Sequence, residues 1–275
     1  MLELKVIDDN LVEKIIAEAL EILQDTGVEI QCDALMDRME MAGLTVDNNT
    51  NRITFPKHIV EDSIKSLPSV IDLYDRDGKL FSKIGGDQTN FVPGSSALNI
   101  LDWQSGERRR AQTPDFIEYI KVVNQLKHIS YPSTAFSTDD VPQDIADAWR
   151  LYLMLAHSSK PVVTGAFTHH GVNRMAEMMA CYRKDKNDLI KKPMSVFTCC
   201  PNSPLRWGLD SSQNLIDCVE NGIIVEVVPV LMIGLAVPVT TVGSLVMQTA
   251  EVLSGIVFTQ LIKPGAPVIF GGAPG

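Results

Sequence analysis

The amino-acid sequence predicts an α/β protein made of repeated strand–loop–helix units. Six short apolar runs lie between residues 89 and 275, and stretches with helical periodicity separate most of them. Successive runs begin roughly 30 residues apart, which is the length of a βαβ unit. The runs are continuously apolar rather than alternating, as in strands that are buried on both faces of a parallel sheet. We therefore expect a parallel sheet covered by helices.

The six predicted strands favour a TIM (β/α)8 barrel over a doubly wound sheet. Small and polar residues collect after each run, and barrel active sites lie at the carboxyl ends of the strands. Six strands do not close an eight-stranded barrel, so we expect an incomplete barrel within a longer protein; an open sheet is the alternative. The predicted strands are 90–93, 129–136, 161–167, 193–200, 223–231 and 267–270, and the helices between them are 113–126, 145–156, 172–182, 211–219 and 245–262. A hairpin is predicted at 98–111, and Thr113 is the expected N-cap of the helix that follows.

Residues 1–88 are predicted to form a small mixed α+β region before the partial barrel of residues 89–275. Apolar residues at helical spacing predict a first helix that ends at Gly27, a second that ends at Gly43, and a third that Pro56 opens. Alternation around Asp77-Gly78 predicts a hairpin between 70 and 84. No candidate site lies in this region.

Composition limits the classes of function that the chain can serve. The net charge of −10 over 275 residues argues against a nucleic-acid partner. The basic cluster Arg108–Arg110 is interpreted as the solvated edge of a hairpin rather than an anion site. The apolar stretch 223–239 is interrupted by charge and proline, so no membrane span is expected. The charged segment 3–13 does not resemble a targeting signal, and five cysteines suggest reduced thiols, so the predicted location is cytoplasmic.

Seven segments carry a resemblance to a known family. They are ALEILQDTG (19–27), DWQSGERRRA (102–111), KPVV (160–163), PNSPL (201–205), PVTTVG (238–243), AEVLSG (250–255) and KPGAPVIF (263–270). Together they occur in order along nearly the whole chain, from residue 19 to residue 270. On these segments the chain resembles the trimethylamine methyltransferase superfamily.

The resemblance implies a TIM barrel that moves a methyl group from a tertiary or quaternary amine to Co(I). It implies a corrinoid (cobalamin) that is carried on a small partner protein, so no cofactor is expected to stay bound to this chain. A homo-oligomer is a further expectation. Family members that act on trimethylamine carry a pyrrolysine, whereas others use glycine betaine or related betaines. The matching position lies beyond Gly275, so the sequence does not decide which methylated amine is the substrate.

Aromatic residues near strand ends are the candidates for holding the substrate cation, because aromatic faces bind quaternary ammonium groups. Phe136 and Phe167 each end a predicted strand and lead into polar residues, and Phe270 ends the sixth strand. The competing interpretation is that these rings are ordinary core residues.

Polar residues of the same loops are the candidates for the rest of the site. His169, Asn202 and Glu226 are predicted to contact substrate, although His169 could be a surface residue and Asn202 could form an Asx-turn. Glu226 lies within an apolar strand, where an unpaired carboxylate is costly. His170 and three serines are predicted to contact the corrin; the serines are Ser95, Ser96 and Ser203.

No metal site is predicted. Cys199 and Cys200 are adjacent, and adjacent strand residues point to opposite faces. Two other functions stay open at this point. One is a TIM-barrel lyase or metal-dependent hydrolase that uses His169, His170 and Glu226. The other is a truncated, non-catalytic paralogue.

Overall fold

The computed structural model describes residues 6–275. Residues 1–5, which include the start of the charged segment predicted at the N-terminus, lie outside the described part. Within that part the helices are α1 (Asp9–Asp25), α2 (Asp33–Met41), α3 (Lys57–Ser66), α4 (Thr113–Gln125), α5 (Ala146–His157), α6 (Gly171–Ala180), α7 (Lys186–Lys191), α8 (Leu209–Asn221) and α9 (Thr241–Ile262). The strands are β1 (Val28–Ile30), β2 (Thr45–Asp47), β3 (Arg52–Thr54), β4 (Ile71–Tyr74), β5 (Leu80–Ile84), β6 (Asn99–Leu101), β7 (Arg108–Arg110), β8 (Val162–Thr164), β9 (Ser195–Cys199), β10 (Arg206–Trp207), β11 (Ile224–Val227) and β12 (Val268–Phe270).

The chain divides into two compact units. Unit 1 comprises Met1–Leu67, Cys199–Ile216 and Glu226–Gly275, and unit 2 comprises Pro68–Thr198 and Asp217–Val225. The sequence boundary between residues 88 and 89 stays a prediction.

Unit 1 is built around α9. This helix is apolar on nearly all sides and packs against α1, α2 and α3. By length and composition α9 could cross a membrane, but 61% of its most apolar window is buried inside the protein, as in a core helix. Beside it lies a small sheet in the order β10-β1-β3-β2, in which β1 runs parallel to β10 and antiparallel to β3. Trp207 on β10 is fully buried, and its ring meets that of Phe258 edge-on at 5.6 Å.

Unit 2 contains the two predicted hairpins and the helices α4 to α7. The β4–β5 hairpin turns at Gly78, which has a φ of +81°, and β6 pairs with β7 as predicted. Helix α5 packs against both α4 and α6. Lys160 holds the end of α4 in place, because its Nζ donates to the carbonyls of Val123, Leu126 and Ile129 at 2.7–3.0 Å.

The predicted parallel strands are only partly confirmed. Strands β8, β9, β11 and β12 lie where four of the six were expected, in the sheet order β12-β11-β9-β8, and β8 is parallel to β9. The strands predicted at 90–93 and 129–136 are wrong as continuous elements. Pro93 and Pro132 lack the N–H donor that a strand interior needs. The second segment keeps isolated parallel bridges, which join Ala97 to Phe136 and Ser133 to Val163.

The start of α4 also differs from the prediction. Gln112, not Thr113, is the N-cap, and Asp115 accepts a hydrogen bond from the Gln112 backbone N–H at 2.8 Å. The hydroxyl of Thr113 is used elsewhere, since it donates to Asp140 Oδ1 at 3.1 Å.

Two glycines of unit 1 make a matched test of this packing. Gly27 and Gly43 both have positive φ, but a Cβ at Gly27 would overlap the Ile53 carbonyl, whereas nothing lies within 4 Å of one at Gly43. We expect G27A to lower the free energy of unfolding by about 1–3 kcal/mol more than G43A, because only G27A adds overpacking to backbone strain. Urea titration of both variants measures this difference in the free energy of unfolding. Equal losses in the two variants would contradict the close approach of Gly27 to the Ile53 carbonyl.

Candidate functional site

In unit 2, a buried carboxylate organises the loop between β8 and α6. Asp147 on α5 is almost completely buried. Its Oδ2 accepts hydrogen bonds from the Phe167 backbone N–H at 3.2 Å and from the Thr168 hydroxyl at 2.8 Å. Its Oδ1 accepts from Arg174 Nη2 at 3.1 Å. Helix α5 therefore fixes the loop that carries three of the predicted site residues.

Arg150 lies one helical turn after Asp147, and only 2% of its surface is exposed. Its Nε donates to the Ala146 carbonyl at 3.3 Å and its Nη1 donates to Ser137 Oγ at 3.2 Å. Burial lowers the pKa of this guanidinium, and the charge of Asp147 opposes that shift. The guanidinium carbon lies 4.7 Å from the centre of the Phe167 ring. One face of Phe167 is therefore occupied by a protein cation, although the residue is 58% exposed.

The two predicted histidines are exposed at the start of α6. His170 has a φ of +57°, and its Nδ1 lies 3.2 Å from Oδ2 of the buried Asp217. The His169 ring meets the His170 ring edge-on at 4.2 Å. A left-handed backbone costs energy in a residue other than glycine, so the fold holds His170 there against that preference.

The other predicted residues of unit 2 lie near the bridged segments. Phe136 is half-buried in an aromatic cluster, with its ring centre 5.3 Å from that of Phe116 and 5.6 Å from that of Tyr119. Ser95 and Ser96 precede the bridge at Ala97, and their hydroxyl oxygens lie 3.2 Å apart.

In unit 1, a buried carboxylate organises the loop after β9. Glu251 on α9 accepts hydrogen bonds from Ser203 Oγ at 2.7 Å and from the Leu205 backbone N–H at 2.8 Å. Burial raises the pKa of Glu251, and these two bonds oppose the shift. In the same loop, Asn202 Oδ1 accepts from the Gly208 backbone N–H at 3.1 Å. The hydroxyl of Ser203 and the side-chain carbonyl of Asn202 therefore both stabilise the conformation of this loop.

The remaining predicted residues of unit 1 lie on β11 and β12. Glu226 is half-buried on β11, and Phe270 ends β12 with about half of its surface exposed. The backbone N–H of Gly271 donates to the Val227 carbonyl at 3.0 Å, which brings these strand ends side by side. Although Cys200 is partly exposed, its pKa is raised to about 11, first by exclusion of water and then by Cys199 and Glu226. A thiol that stays protonated at neutral pH is a poor metal ligand.

The structure thus gathers the predicted residues into two sets, one in each unit, and their roles stay predictions. Unit 2 contains Phe136, Phe167, His169, His170, Ser95 and Ser96; unit 1 contains Asn202, Ser203, Glu226 and Phe270. Within residues 6–275, no group of three or more His, Cys, Asp or Glu side chains could hold a metal ion.

Sequence reasoning missed the charged residues that support these sets. Asp147 and Arg150 lie three residues apart on the buried side of α5, and Glu251 lies in the apolar interior of α9. The available signal was a charge at a position where helical periodicity predicts an apolar residue. The basic cluster at Arg108–Arg110 is also more than a solvated edge. Arg109 bridges the carboxylates of Asp102 and Asp115 at 2.7–2.9 Å.

Comparison with solved structures establishes the class of fold. A crystal structure of the Methanosarcina barkeri monomethylamine methyltransferase (MtmB) matches with a TM-score of 0.53 and 13% sequence identity, over 90% of this chain and 50% of that one. The chain therefore has an α/β fold similar to that of this structure.

The particular family follows from the sequence. The model of the trimethylamine methyltransferase (MTTB) family matches residues 1–274, and the chain belongs to that family. A trimethylamine methyltransferase MttB of Desulfitobacterium hafniense is 27% identical over 92% of this chain and 51% of its own length. A glycine betaine methyltransferase of the same species is 27% identical over 97% and 55%. A proline betaine:corrinoid methyltransferase of Eubacterium limosum is 24% identical over 97% and 56%. The chain spans about half the length of the curated relatives it matches.

Glu251 gives a prediction on pH dependence. Its folded-state pKa is raised above the ordinary value of 4.5, so its contribution to stability is present below pH 4.5 and is lost as the pH rises through the folded pKa. Replacement by glutamine keeps an acceptor for Leu205 but does not titrate. We expect E251Q to remove this pH-dependent loss, and E251A to cost about 1–3 kcal/mol at every pH because the Leu205 N–H loses its partner.

Denaturant unfolding between pH 4 and pH 8 measures both effects. E18Q removes an exposed negative charge from α1 of the same unit and serves as the matched control. A wild-type protein and an E251Q variant with parallel stability profiles would contradict the raised pKa.

Proposed function

We propose that this protein transfers a methyl group from a tertiary or quaternary methylated amine to the Co(I) of a corrinoid that a partner protein carries. The observation that supports the proposal is the family match over residues 1–274. The related proteins named above are amine and betaine methyltransferases, and the name of one of them includes the corrinoid acceptor.

We further propose that the parallel strands belong to a TIM barrel of which this chain supplies part. Segment 96–97, segment 133–136, β8, β9, β11 and β12 lie side by side in the order of the chain, and the bridges 97–136 and 133–163 are parallel. A doubly wound sheet reverses its strand order at a switch point, whereas a barrel does not. The sequential order supports the barrel.

The proposed methyl transfer needs little acid–base catalysis by side chains of this chain. A quaternary ammonium has no proton to remove, and Co(I) supplies the nucleophile. The protein must bind the cation, exclude water and align the methyl group. Phe167 and Phe136 offer aromatic surface in unit 2, and Phe270 offers it in unit 1.

The predicted corrin contacts differ in how well they suit that role. Three of the four are at least partly exposed and can offer polar atoms to a large polar ring; they are Ser95, Ser96 and His170. Ser203 already donates to Glu251, so its hydroxyl is the least suited of the four. We place the protein in the cytoplasm, and a homo-oligomer stays a proposal.

The test is anaerobic methylation of cob(I)alamin by the intact protein with a competent corrinoid partner, followed by the loss of Co(I) absorbance. The donors are trimethylamine, glycine betaine and proline betaine. We expect one of them to be consumed with equimolar loss of Co(I). Failure with every donor would exclude the proposed function and direct attention to the lyase or hydrolase alternative.

Phe167 provides a site-directed test of the same function. We expect F167A to raise KM for the active donor roughly 2- to 30-fold, because a cation–π contact contributes about 0.5–2 kcal/mol. F81A is the control, since Phe81 is also a partly exposed ring of unit 2 but packs on Tyr131 in the hairpin region. Equal KM changes in the two variants would show that Phe167 does not contact substrate.

A further inference from the structure

The β6–β7 hairpin of unit 2 has a strand edge that pairs with no other strand within residues 6–275. Beyond the end of β6, the Asp102 backbone N–H donates to the Glu107 carbonyl at 2.9 Å. Residue pairs that exchange backbone hydrogen bonds alternate along an antiparallel ladder with pairs that do not. Counting back from that bond, Asn99 and Leu101 belong to the pairs that do not. Their backbone N–H and C=O groups therefore point away from β7, toward the outer edge.

An open groove of about 460 Å³ lies beside β6. It is lined by residues 97–101 and by Arg108 of β7. Large apolar side chains stand in water here, since Leu101 is 73% exposed and Trp103, in the adjoining turn, is 83% exposed. Exposed apolar side chains grouped at a concave surface are typical of interaction sites. The edge therefore combines unpaired backbone groups with apolar surface.

The charges beside this edge are positive. Arg108 and Arg110 lie directly opposite two β6 residues, and opposed residues of a ladder have their side chains on the same face. Arg110 extends across β6, because its Nη1 donates to the Leu98 carbonyl at 3.4 Å. Within the described chain, the ion pairs of this hairpin both use Arg109. The two outer arginines are therefore available to acidic groups from outside.

We propose that the outer edge of β6 binds an extended, acidic segment of a partner protein, which joins the hairpin as a third strand. Strand addition supplies backbone hydrogen bonds to Asn99 and Leu101. The added strand lies about 10 Å from β7, a distance that an arginine and a glutamate side chain span together. Its acidic side chains can therefore pair with Arg108 and Arg110. The inference goes beyond methyl transfer and does not depend on it.

A second copy of this chain fits the edge less well than an acidic partner. Pairing of two β6 edges would bring the outer arginines of both hairpins together, and like charges on neighbouring strands are destabilising. The net charge of −10 makes two copies repel each other as well. Charged residues commonly protect edge strands from self-association in this way. The same arginines attract a strand of opposite charge.

The test measures the binding of fluorescent peptides by anisotropy. The probe is a seven-residue peptide in which glutamate alternates with valine. One control peptide has lysine in place of each glutamate, and a second has proline in place of the central valine, which removes a backbone donor. We expect the acidic peptide to bind at least tenfold more tightly than either control. Its affinity should fall as the salt concentration rises, because exposed charges are screened.

Leu101 provides a matched pair of variants for the backbone hydrogen bonds. L101A and L101P both remove the apolar side chain, but only L101P removes the N–H that points away from β7. Proline is tolerated at such a position because no ladder hydrogen bond is lost. We expect L101P to bind the acidic peptide roughly 2- to 12-fold more weakly than L101A, as for one hydrogen bond. If circular dichroism shows that L101P does not fold, the proline peptide tests the same bonds from the partner's side.

The double variant R108Q/R110Q tests the contribution of charge. We expect it to weaken the acidic peptide roughly 2- to 30-fold, as for two partly exposed ion pairs. The matched control is K121Q/K127Q, which removes two exposed positive charges elsewhere in unit 2 and should keep the wild-type affinity.

Three results would overturn the proposed site. They are equal affinity for the acidic and lysine peptides, equal affinity of folded L101P and L101A, and an unchanged affinity in R108Q/R110Q. Sedimentation of the protein alone tests the second copy as the occupant. A dimer that dissociates in L101P but persists in L101A would assign the edge to self-association and would also overturn the acidic partner.

Discussion

The burial of α9 is the constraint on which unit 1 depends. An apolar helix inside a domain can rotate or slide unless polar contacts fix its position. Three buried side chains on α9 provide such contacts. Glu251 bonds the loop after β9, Ser254 accepts from Trp207 Nε1 at 2.9 Å, and Gln260 Oε1 accepts from Ser66 Oγ at 2.8 Å. Each lost partner would leave a buried polar atom unsatisfied, so the helix has one favourable register.

The same logic explains several segments that carry the family resemblance. Segment PNSPL is held by the glutamate of segment AEVLSG, which lies on α9. In DWQSGERRRA, Arg109 ties the hairpin to the first turn of α4, and the pKa of Asp102 falls to about 2 because of the Ser105 N–H and Arg109. In KPVV, the Lys160 side chain donates to carbonyls at the C-terminal end of α4. These segments therefore describe how elements are joined, and they identify the family without identifying the ligand.

The parts of the fold that the sequence predicts are those with local signals. The helices before residue 67, both hairpins and α5, α6, α8 and α9 follow from periodicity and turn residues. The sheet order β10-β1-β3-β2 could not be predicted, because it pairs Glu29 with Arg206 across most of the chain. In the candidate site, the sequence predicted that Phe167 and His170 follow a strand end. It did not predict the buried charges Asp147 and Arg150, because their partners depend on how α5 packs in the folded chain.

The burial of Trp207 gives unit 1 an optical property of its own. The chain has three tryptophans, and Trp207 is the one in unit 1. An indole in an apolar interior emits at shorter wavelength than one in water, and Trp103 in unit 2 is 83% exposed. Trp149, also in unit 2, is half-buried and stacks on Tyr152 with ring centres 5.4 Å apart. The most blue-shifted emission therefore comes from Trp207, so fluorescence at that wavelength and a probe of total helix content can show whether the two units unfold together.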